Sequence, residues 1–270
     1  MPGRASEHRP HHRTRWASTG LTLIVITAVA WVVALIATPG RSPSSAMTPT
    51  TTIPPVPTSA SGTWDVAAEN ALATRAMLTL PPQDAQPQPL TTATAGPPIH
   101  VPQPSTTTGR WIPSGFADTA VGALGQLKAL DETAMRGGDP DTYARAYREL
   151  SLPGAPDAGS TGLASVLASF RAAGGLPDTG PAPGLSVTYE ITEGLIKGTT
   201  DDGRYAVVCV LGELSVQDRG ATVDAGVGDC QAMRWTTTGW RISPGVLAAP
   251  APCAWPGSAD SVDAGYRELA

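Results

Sequence analysis

The stretch that decides the fold is Arg204–Val216, RYAVVCVLGELSV, which places Cys209 among valines and leucines. A short run rich in β-branched and apolar residues, bounded by turn residues, is typical of a strand inside a sheet. The turn QDRG follows at Gln217–Gly220, and a second strand-like stretch, Ala221–Trp235, comes after it. The opening stretch therefore predicts a central strand that is followed by an antiparallel neighbour.

The residues on either side of this pair predict two further strands. Upstream, LSVTYEITEGLIKG (185–198) leads into a turn with Asp202–Gly203 at its centre, a common hairpin sequence. Downstream, WRIS (240–243) is ended by Pro244. Glycines at 226 and 228 suggest a bend or bulge in the third strand. The sequence thus predicts a curved, four-stranded antiparallel sheet.

Three helices are predicted ahead of this sheet, because apolar residues recur at intervals of three to four. Asp118 is the expected cap of the first helix, which reaches about Arg136. Asp139–Pro140 reads as a cap followed by proline at the first helical position. The third helix spans about 161–173. The predicted fold class is α+β over residues 111–247: about three helices followed by the sheet, preceded by one transmembrane helix and a Pro/Thr-rich tether.

The predicted transmembrane helix, 20–38, contains an uncharged apolar run of seventeen residues from Leu21 to Ala37. Arginines are concentrated before it, so a cytoplasmic basic tail (1–19) and an external C-terminal part are expected. A cleaved signal peptide with a small-residue site at Ser44–Ala46 is the alternative. These features predict a single-pass protein of the cell membrane, with its C-terminal domain extracellular.

A tether rich in Pro, Thr and Ser is predicted for residues 39–110, because 15 of the 27 prolines lie between Pro39 and Pro113. One helical island near 64–80 interrupts it, with Thr63 as the expected N-cap. The island is either a docked helix or a transient one. The C-terminal segment, 248–270, has the same two alternatives, a short docked helix or a frayed tail.

A disulfide between Cys209 and Cys230 is predicted from the register of the central hairpin. If Arg219–Gly220 form a two-residue turn, the two cysteines lie directly opposite each other. Directly opposed residues have Cα atoms about 4.5–5.5 Å apart, within disulfide range. The predicted location outside the cytoplasm is oxidising. The alternative is a bond from Cys253 to either strand cysteine.

The sequence predicts no catalytic site, no metal site and no cofactor. His100 is the one histidine after the apolar segment, so a nucleophile–histidine pair or a zinc site has no histidine in the folded domain. Removing the N-terminal tail leaves 14 basic against 22 acidic residues, which argues against direct nucleic-acid binding. The possible ligand or partner surface is formed by Trp235, Trp240, Glu213 and Tyr266.

The order of elements resembles that of a family of bitopic membrane proteins: tail, transmembrane helix, tether, three helices, and four strands ending in WRI (240–242). These proteins have a nuclear-transport-factor-like (cystatin-like α+β) extracytoplasmic domain, and they include TcpC-type conjugation and type IV secretion scaffolds and the Mce-associated proteins of actinobacteria. The resemblance rests on element order and not on a motif, so it assigns no functional residue.

The resemblance implies a membrane-anchored extracytoplasmic scaffold or interaction subunit of a bacterial envelope assembly, such as a conjugation or secretion apparatus. The implied partners are the membrane, through residues 20–38, and proteins of an envelope complex or further copies of the chain. A small-molecule or lipid-binding cup accessory to a transporter is the alternative. An enzyme that uses a cavity carboxylate is the third hypothesis.

Overall fold

The computed structural model describes residues 64–109 and 111–270. Within them the α-helices are α1 (Val66–Thr74), α2 (Ala120–Ala134), α3 (Pro140–Leu150), α4 (Gly162–Ala173) and α5 (Ala259–Asp263). The strands are β1 (Thr106–Thr108), β2 (Ile112–Ser114), β3 (Leu185–Thr200), β4 (Tyr205–Asp218), β5 (Ala221–Thr236), β6 (Gly239–Ile242) and β7 (Arg267–Glu268). Short 3-10 helices lie at Pro82–Ala85, Ala158–Ser160 and Asp201–Gly203.

The main sheet is antiparallel and has the order β6-β5-β4-β3-β7, while β1 and β2 form a separate hairpin. Asp218 pairs with Ala221, so Arg219 and Gly220 are the two central residues of the β4–β5 turn. Both have positive φ, 49° and 84°, as the tight hairpin turn of this kind requires. The predicted central strand and its turn are therefore confirmed.

The predicted fold class needs correction, because the sheet has five strands and not four. The fifth strand, β7, pairs with β3 through Glu193↔Glu268 and Gly194↔Arg267. Two residues are too few to show an alternating pattern in sequence, which is why the strand was missed. The outer edge of β3 is thus partly covered by β7.

The three predicted helices are confirmed in position, each with a side-chain cap. Thr119, not Asp118, caps α2, and its side chain accepts a hydrogen bond from the Gly122 amide. Asp139 caps α3 ahead of Pro140, as predicted. Thr161 caps α4. These caps satisfy amide groups that the first helical turn leaves without a partner.

Helices α2, α3 and α4 cover one face of the sheet and form the larger core with it. The apolar helix residues that repeat at helical spacing in the sequence are fully buried in this core, where they pack on residues of the sheet. Fully buried members include Leu124, Leu127, Leu130, Leu150, Leu163, Leu167, Ala206, Val208, Val210 and Met233. Burial of each leucine, valine or methionine side chain in this list stabilises the fold by roughly 1.5–3 kcal/mol.

The opposite face of the sheet is covered by α1 and by the C-terminal segment, which form a second, smaller core. The Ala249 amide donates to the Ala73 carbonyl over 2.9 Å, and Lys197 Nζ donates to the same oxygen over 2.9 Å. The buried members are Leu72, Ala73, Tyr205, Val207, Cys209, Leu211, Cys230, Ala232, Ala248, Ala254 and Tyr266. The domain therefore has three layers, with the sheet in the middle.

The tether predicted for residues 39–110 needs correction, because part of it packs into the second core. Residues 64–80 contain α1, so the helical island is a docked helix. Its N-cap is Asp65 and not Thr63, and the Asp65 side chain accepts a hydrogen bond from the Ala68 amide over 3.0 Å. Farther along, Ile99 forms a parallel bridge with Leu269. Pro and Thr dominate the composition here, but a few apolar residues are enough to hold the segment against the sheet.

In the described residues, no helix has the length and apolar character needed to cross a membrane. The predicted transmembrane helix at 20–38, the basic tail at 1–19 and the first part of the tether lie outside these residues. The predicted short C-terminal helix exists as α5 and is docked, since Ser261 on it is fully buried and donates to Glu193 Oε1 over 3.3 Å.

The disulfide Cys209–Cys230 is confirmed. The two cysteines pair directly across β4 and β5, with Cα atoms 4.0 Å apart. Cys253 is a free thiol, and it accepts a hydrogen bond from the Gly228 amide over 3.4 Å. The disulfide lies in the second core and closes the hairpin beneath the C-terminal segment.

The glycines of β5 serve a different purpose from the one predicted. The pairing of β4 with β5 is continuous, and the register shifts are in β3 instead, at Ile191/Glu193 and Ile196/Gly198. A Cβ atom on Gly226 would lie 1.7 Å from the Ala254 carbonyl oxygen. Gly226 therefore allows the C-terminal backbone to cross the sheet in direct contact with β5.

A buried ion cluster ties α1 to the sheet. Arg234 of β5 is bonded to Glu69 of α1 and, over 3.0 Å, to Asp201. The Trp64 ring lies over the guanidinium, with 3.6 Å from its centroid to Arg234 Cζ. Arg234 and Glu69 are both more than nine-tenths buried. The cluster therefore joins α1 to β5 by charge in a place that water reaches poorly.

Candidate functional site

A cavity of about 370 Å³ opens at the side of the sheet where β6 ends. Strand β6 pairs with Met233–Thr236, and within residues 64–109 and 111–270 no strand lies beyond the preceding part of β5. The start of α4 and the segment Leu247–Ala251 form the other walls. The lining residues are Ser160, Thr161, Gly162, Ser165, Ser169, Gly228, Asp229, Cys230, Gln231, Leu247, Ala248, Pro250 and Ala251.

The cavity wall is polar on the side of α4 and β5. Four hydroxyl groups come from the α4 side, and β5 contributes the carboxyl of Asp229 and the amide of Gln231. Among the described residues that line the cavity, Asp229 is the one that can carry a charge. A single buried carboxyl surrounded by hydroxyl and amide groups is suited to orienting a polar ligand.

Strand alternation explains why these two side chains point toward the helices. Val227 and Met233 of β5 belong to the helix-side core, so Asp229 and Gln231, at the same parity, lie on that face too. Gln231 Nε2 donates to Asp229 Oδ2 over 2.9 Å. Tyr147 of α3 donates to Gln231 Oε1 over 3.3 Å. The three side chains form a hydrogen-bonded chain from α3 to the cavity wall.

A second carboxyl, Asp131 of α2, lies behind this chain and is 1% exposed. Neither of its oxygens has a hydrogen-bond partner among the described residues. Burial raises the pKa of Asp131 well above its usual range, and the neighbouring charges of Asp229 and Glu132 raise it further. A buried carboxyl without a partner avoids the cost of an unpaired charge by holding its proton.

Asp229 has a less extreme environment. Burial raises its pKa to about 6, although hydrogen bonds from Gln231 and from the Cys230 amide favour the ionised form. The charge of Asp229 contributes to the raised pKa of Asp131, but burial is the larger cause.

Three buried tyrosines surround the aspartates. The hydroxyl of Tyr143 is 2.8 Å from Thr161 Oγ1, and Tyr189 donates to the Val227 carbonyl over 2.7 Å. Burial raises the pKa of Tyr143, Tyr147 and Tyr189, and the charges of both aspartates contribute. These hydroxyls therefore stay protonated and act as hydrogen-bond donors within the site.

A protein metal site is not built into this arrangement. Nowhere in residues 64–109 and 111–270 do three or more His, Cys, Asp or Glu side chains form a group that could hold a metal ion. What the cavity wall offers is the carboxyl of Asp229 and several neutral donors and acceptors. This set can bind a cation or a hydrogen-bonding molecule.

We expect Asp131→Asn to stabilise the protein near pH 7 and to have almost no effect near pH 4. A raised carboxyl pKa means that the folded state keeps a proton that the unfolded state has released above about pH 4. The unfolding free energy of the wild type therefore falls as pH rises, and asparagine removes this loss. Urea unfolding of the wild type and of the variant at several pH values measures the difference in unfolding free energy.

The exposed Asp118, replaced by Asn, is the control and should leave the unfolding free energy unchanged at every pH. If Asp131→Asn destabilises the protein equally at pH 4 and pH 7, then Asp131 is ionised in the folded state and has a partner.

The structure does not bring the four residues predicted to form a ligand or partner surface together: of these only Trp235 and Trp240 are neighbours, and none of the four lines the cavity. Trp235 and Trp240 pack edge to face with ring centroids 5.5 Å apart, and Trp240 is 1% exposed. Tyr266 is buried in the second core. Glu213 is half-buried on β4, and burial raises its pKa. Trp240 and Tyr266 therefore offer almost no surface to a partner.

Sequence reasoning missed Asp131, although a signal was present. Asp131 follows Leu124 and Leu127 at intervals of seven and four, so it lies on the buried face of α2. Asp229 lies within the predicted third strand, and no local pattern in the sequence connects it with α2. Two carboxyls on buried faces of a helix and a strand that pack together are a detectable pattern. No comparable pattern in the sequence indicates that Leu247–Ala251 forms a wall of the cavity.

Comparisons with known proteins add little to this geometry. No protein-family model and no curated protein matches the chain. Among solved structures, the chain is similar to the intermembrane space region of the chloroplast protein ARC6, at 17% identity over 48% of this chain and 92% of that one, with a TM-score of 0.25. A similarity this low supports no conclusion about fold or function.

Proposed function

We propose that the chain presents a domain that binds a small polar molecule in the cavity between α4 and β5. The observation that carries the proposal is the buried carboxyl of Asp229 on the wall of an open cavity. The cavity volume, about 370 Å³, is within the range of small-molecule sites in proteins. Burial of a carboxyl costs stability, so its position at a cavity is better explained by binding than by folding.

The same proposal places the domain outside the cytoplasm. A disulfide such as Cys209–Cys230 persists in oxidising compartments and is rare in the cytosol. The predicted attachment to the cell membrane concerns residues outside the described part, and it stays a prediction. A ligand-binding domain in this location fits the role of an accessory component of a transporter or an envelope assembly.

Binding is favoured over catalysis by the chemistry of the wall. The serine and threonine hydroxyls that line the cavity have no histidine or free cysteine among the lining residues to activate them. His100 is exposed and is not part of the cavity. We therefore propose a binding function; Asp229 is the cavity carboxylate on which the third hypothesis, an enzyme, would rest.

The scaffold function predicted from the sequence stays a prediction, with one feature in its favour. A groove of about 490 Å³ runs beside the outer edge of β3. Its charged lining residues are Lys128, Glu132, Arg136 and Glu190. A groove with charges of both signs could receive a protein partner or another copy of the chain, at a surface separate from the cavity.

The binding proposal is tested by closing the cavity. Ser165 is an exposed lining residue at the start of α4, so a tryptophan there can fill the mouth without entering the core. We expect the purified full chain to bind at least one member of a panel of small polar metabolites, detected by a rise in melting temperature. Ser165→Trp should weaken that binding by about tenfold or more.

Ala168→Trp is the matched control, because Ala168 is exposed on the same helix and does not line the cavity. It should leave the affinity unchanged. If Ser165→Trp binds the same molecule as tightly as the wild type, the cavity is not the binding site. If no panel member binds the wild type, the proposed function is wrong.

A further inference from the structure

The backbone edge of β5 at the cavity is a row of hydrogen-bonding groups that no strand of the described residues pairs. The Ala232 carbonyl accepts from the Ser243 amide over 2.8 Å, and the Gly228 amide donates to Cys253 Sγ over 3.4 Å, so both residues point these groups away from β4. The direction alternates along an antiparallel strand, so Cys230, midway between them, points the same way. Cys230 lines the cavity, and its carbonyl accepts no hydrogen bond from the described residues.

The facing wall of the cavity does not supply the missing strand. It is formed by Leu247–Ala251, in which Pro250 has no N–H to donate, and the same is true of Pro252 next to it. The Ala249 amide donates to a carbonyl of α1 over 2.9 Å, and the Pro252 carbonyl accepts from the Tyr266 hydroxyl over 3.0 Å. The segment therefore uses its backbone groups elsewhere, and a gap stays open between it and β5.

We propose that the cavity binds a dipeptide, which adds to the edge of β5 as a short extended strand and places its ammonium group at Asp229. The inference rests on the proposed function, because it names the ligand class of the same cavity. It is carried by the unpaired carbonyl of Cys230 and by Asp229, the one group on the wall that can carry a charge. Addition of an extended peptide to a sheet edge is a recurring mode of peptide recognition.

Two neighbouring acceptors decide which end of the dipeptide lies at Asp229. The Asp229 carboxyl accepts from the Cys230 amide, so it takes the place that the carbonyl of a paired strand would have. The edge therefore needs donors, one for the carboxyl and one for the Cys230 carbonyl. The N-terminal half of a dipeptide carries both, an ammonium group and an amide N–H. The ammonium–carboxylate hydrogen bond is about twice as strong as a neutral one.

The volume of the cavity sets the length of the peptide. The rise along a strand and the spacings between strands and between sheets give an extended residue roughly 160 Å³. A cavity of about 370 Å³ therefore has room for about two residues with small side chains. On the α4 side, the hydroxyls of Ser165 and Ser169 can donate to the carboxylate of the second residue.

Calorimetric titration of the full chain at neutral pH with L-alanyl-L-alanine tests this inference. We expect this dipeptide to bind. The ester analogue L-alanyl-L-lactate, which has an oxygen in place of the amide N–H, should bind about tenfold more weakly. N-acetyl-L-alanyl-L-alanine, which lacks the positive charge, should also bind about tenfold more weakly or not at all. Tetra-L-alanine should bind more weakly than the dipeptide, because it is too long for the cavity.

The Cys230 carbonyl can be observed directly in the wild-type protein. Cys230 is the one cysteine followed by glutamine, so carbon-13 at cysteine carbonyls together with nitrogen-15 in glutamine selects its signal in NMR spectra. The carbonyl resonance should shift when L-alanyl-L-alanine binds, and much less with the ester.

Variants test the two sides of the cavity. Asp229→Asn keeps the shape of the side chain and removes its charge, so it should weaken binding of the dipeptide by about tenfold or more. Asp118→Asn is the matched control and should bind as the wild type does. Ser165→Trp should abolish binding of the dipeptide.

The outcomes distinguish this inference from the proposed function. If the ester binds as tightly as the dipeptide, or the Cys230 carbonyl resonance does not move, the edge of β5 is not used and the inference is overturned. Equal binding of tetra-L-alanine overturns the assignment to a dipeptide. If L-alanyl-L-alanine fails to bind while another small polar molecule binds and is lost in Ser165→Trp, the inference is wrong and the proposed function stands. Dipeptide binding that survives Ser165→Trp places the site outside the cavity and overturns both.

Discussion

Arg234→Ala is expected to destabilise the protein by about 3–5 kcal/mol, the usual loss when one partner of a buried ion pair is removed. Arg234 is bonded to both Glu69 and Asp201, and its side chain is 2% exposed. Alanine would leave the carboxylate of Glu69, itself 6% exposed, without a counter-charge in the interior. It would also remove the contact of the guanidinium with the ring of Trp64.

Local unfolding caused by Arg234→Ala should begin at α1. Arg234 is the link between β5 and this helix, so α1 is expected to lose protection from hydrogen exchange before the sheet does. Loss of α1 would uncover Leu72 and Ala73 and the sheet face beneath them. Urea unfolding gives the free energy, and hydrogen exchange of Val66–Thr74 gives the location.

Arg241→Ala is the matched control. Arg241 lies opposite Arg234 on β6, but its one side-chain hydrogen bond is to the Trp240 carbonyl, so the expected loss is below about 1 kcal/mol. Removing Glu69 together with Arg234 should recover part of the loss, because no uncompensated carboxylate then remains at that position. Equal losses for Arg234→Ala and Arg241→Ala would contradict the role of the ion cluster.

Gly226→Ala is expected to destabilise the protein by more than about 3 kcal/mol, beyond the usual cost of an added methyl group in a packed core. The new Cβ would lie 1.7 Å from the Ala254 carbonyl oxygen and 2.5 Å from its carbonyl carbon. Both are backbone atoms and cannot rotate away. The C-terminal segment must therefore lift off β5, and the second core opens. The measurement is urea unfolding of the full chain.

Gly174→Ala is the control for a glycine replacement without a clash. Gly174 ends α4 with φ −78° and ψ −5°, a conformation that alanine adopts readily, and the nearest atom to its Cβ position is 3.3 Å away on the flexible Leu176 side chain. The unfolding free energy should change by less than about 1 kcal/mol. A similarly small loss for Gly226→Ala would mean that the C-terminal segment does not cross β5 as described.

Local signals in the sequence were enough to predict the central hairpin and the helix-side core. Arg219 and Gly220 determine a two-residue turn, and the register that follows places Cys209 opposite Cys230. The helices α2 to α4 were predictable because their apolar residues repeat at helical spacing and their caps and glycines mark the ends.

The other side of the sheet depends on contacts between distant parts of the chain, which no local pattern reveals. Strand β7 has only two residues, and α1 is held by Arg234, far away in sequence. The proline-rich composition around α1 predicted a tether, but contacts with distant parts of the chain hold this segment against the sheet. The cavity is likewise formed by three separate segments, the start of α4, the middle of β5 and Leu247–Ala251.

The most direct test of the central claim, that Asp229 is a buried carboxyl on the wall of a ligand cavity, is a pH titration followed by carbon-13 NMR of the aspartate side-chain carboxyls. The account predicts that the Asp229 carboxyl ionises near pH 6 and that the pKa of the buried Asp131 is also raised well above its usual range. If every aspartate carboxyl is ionised by about pH 5, as exposed aspartates are, the two carboxyls are not buried as described and the account fails.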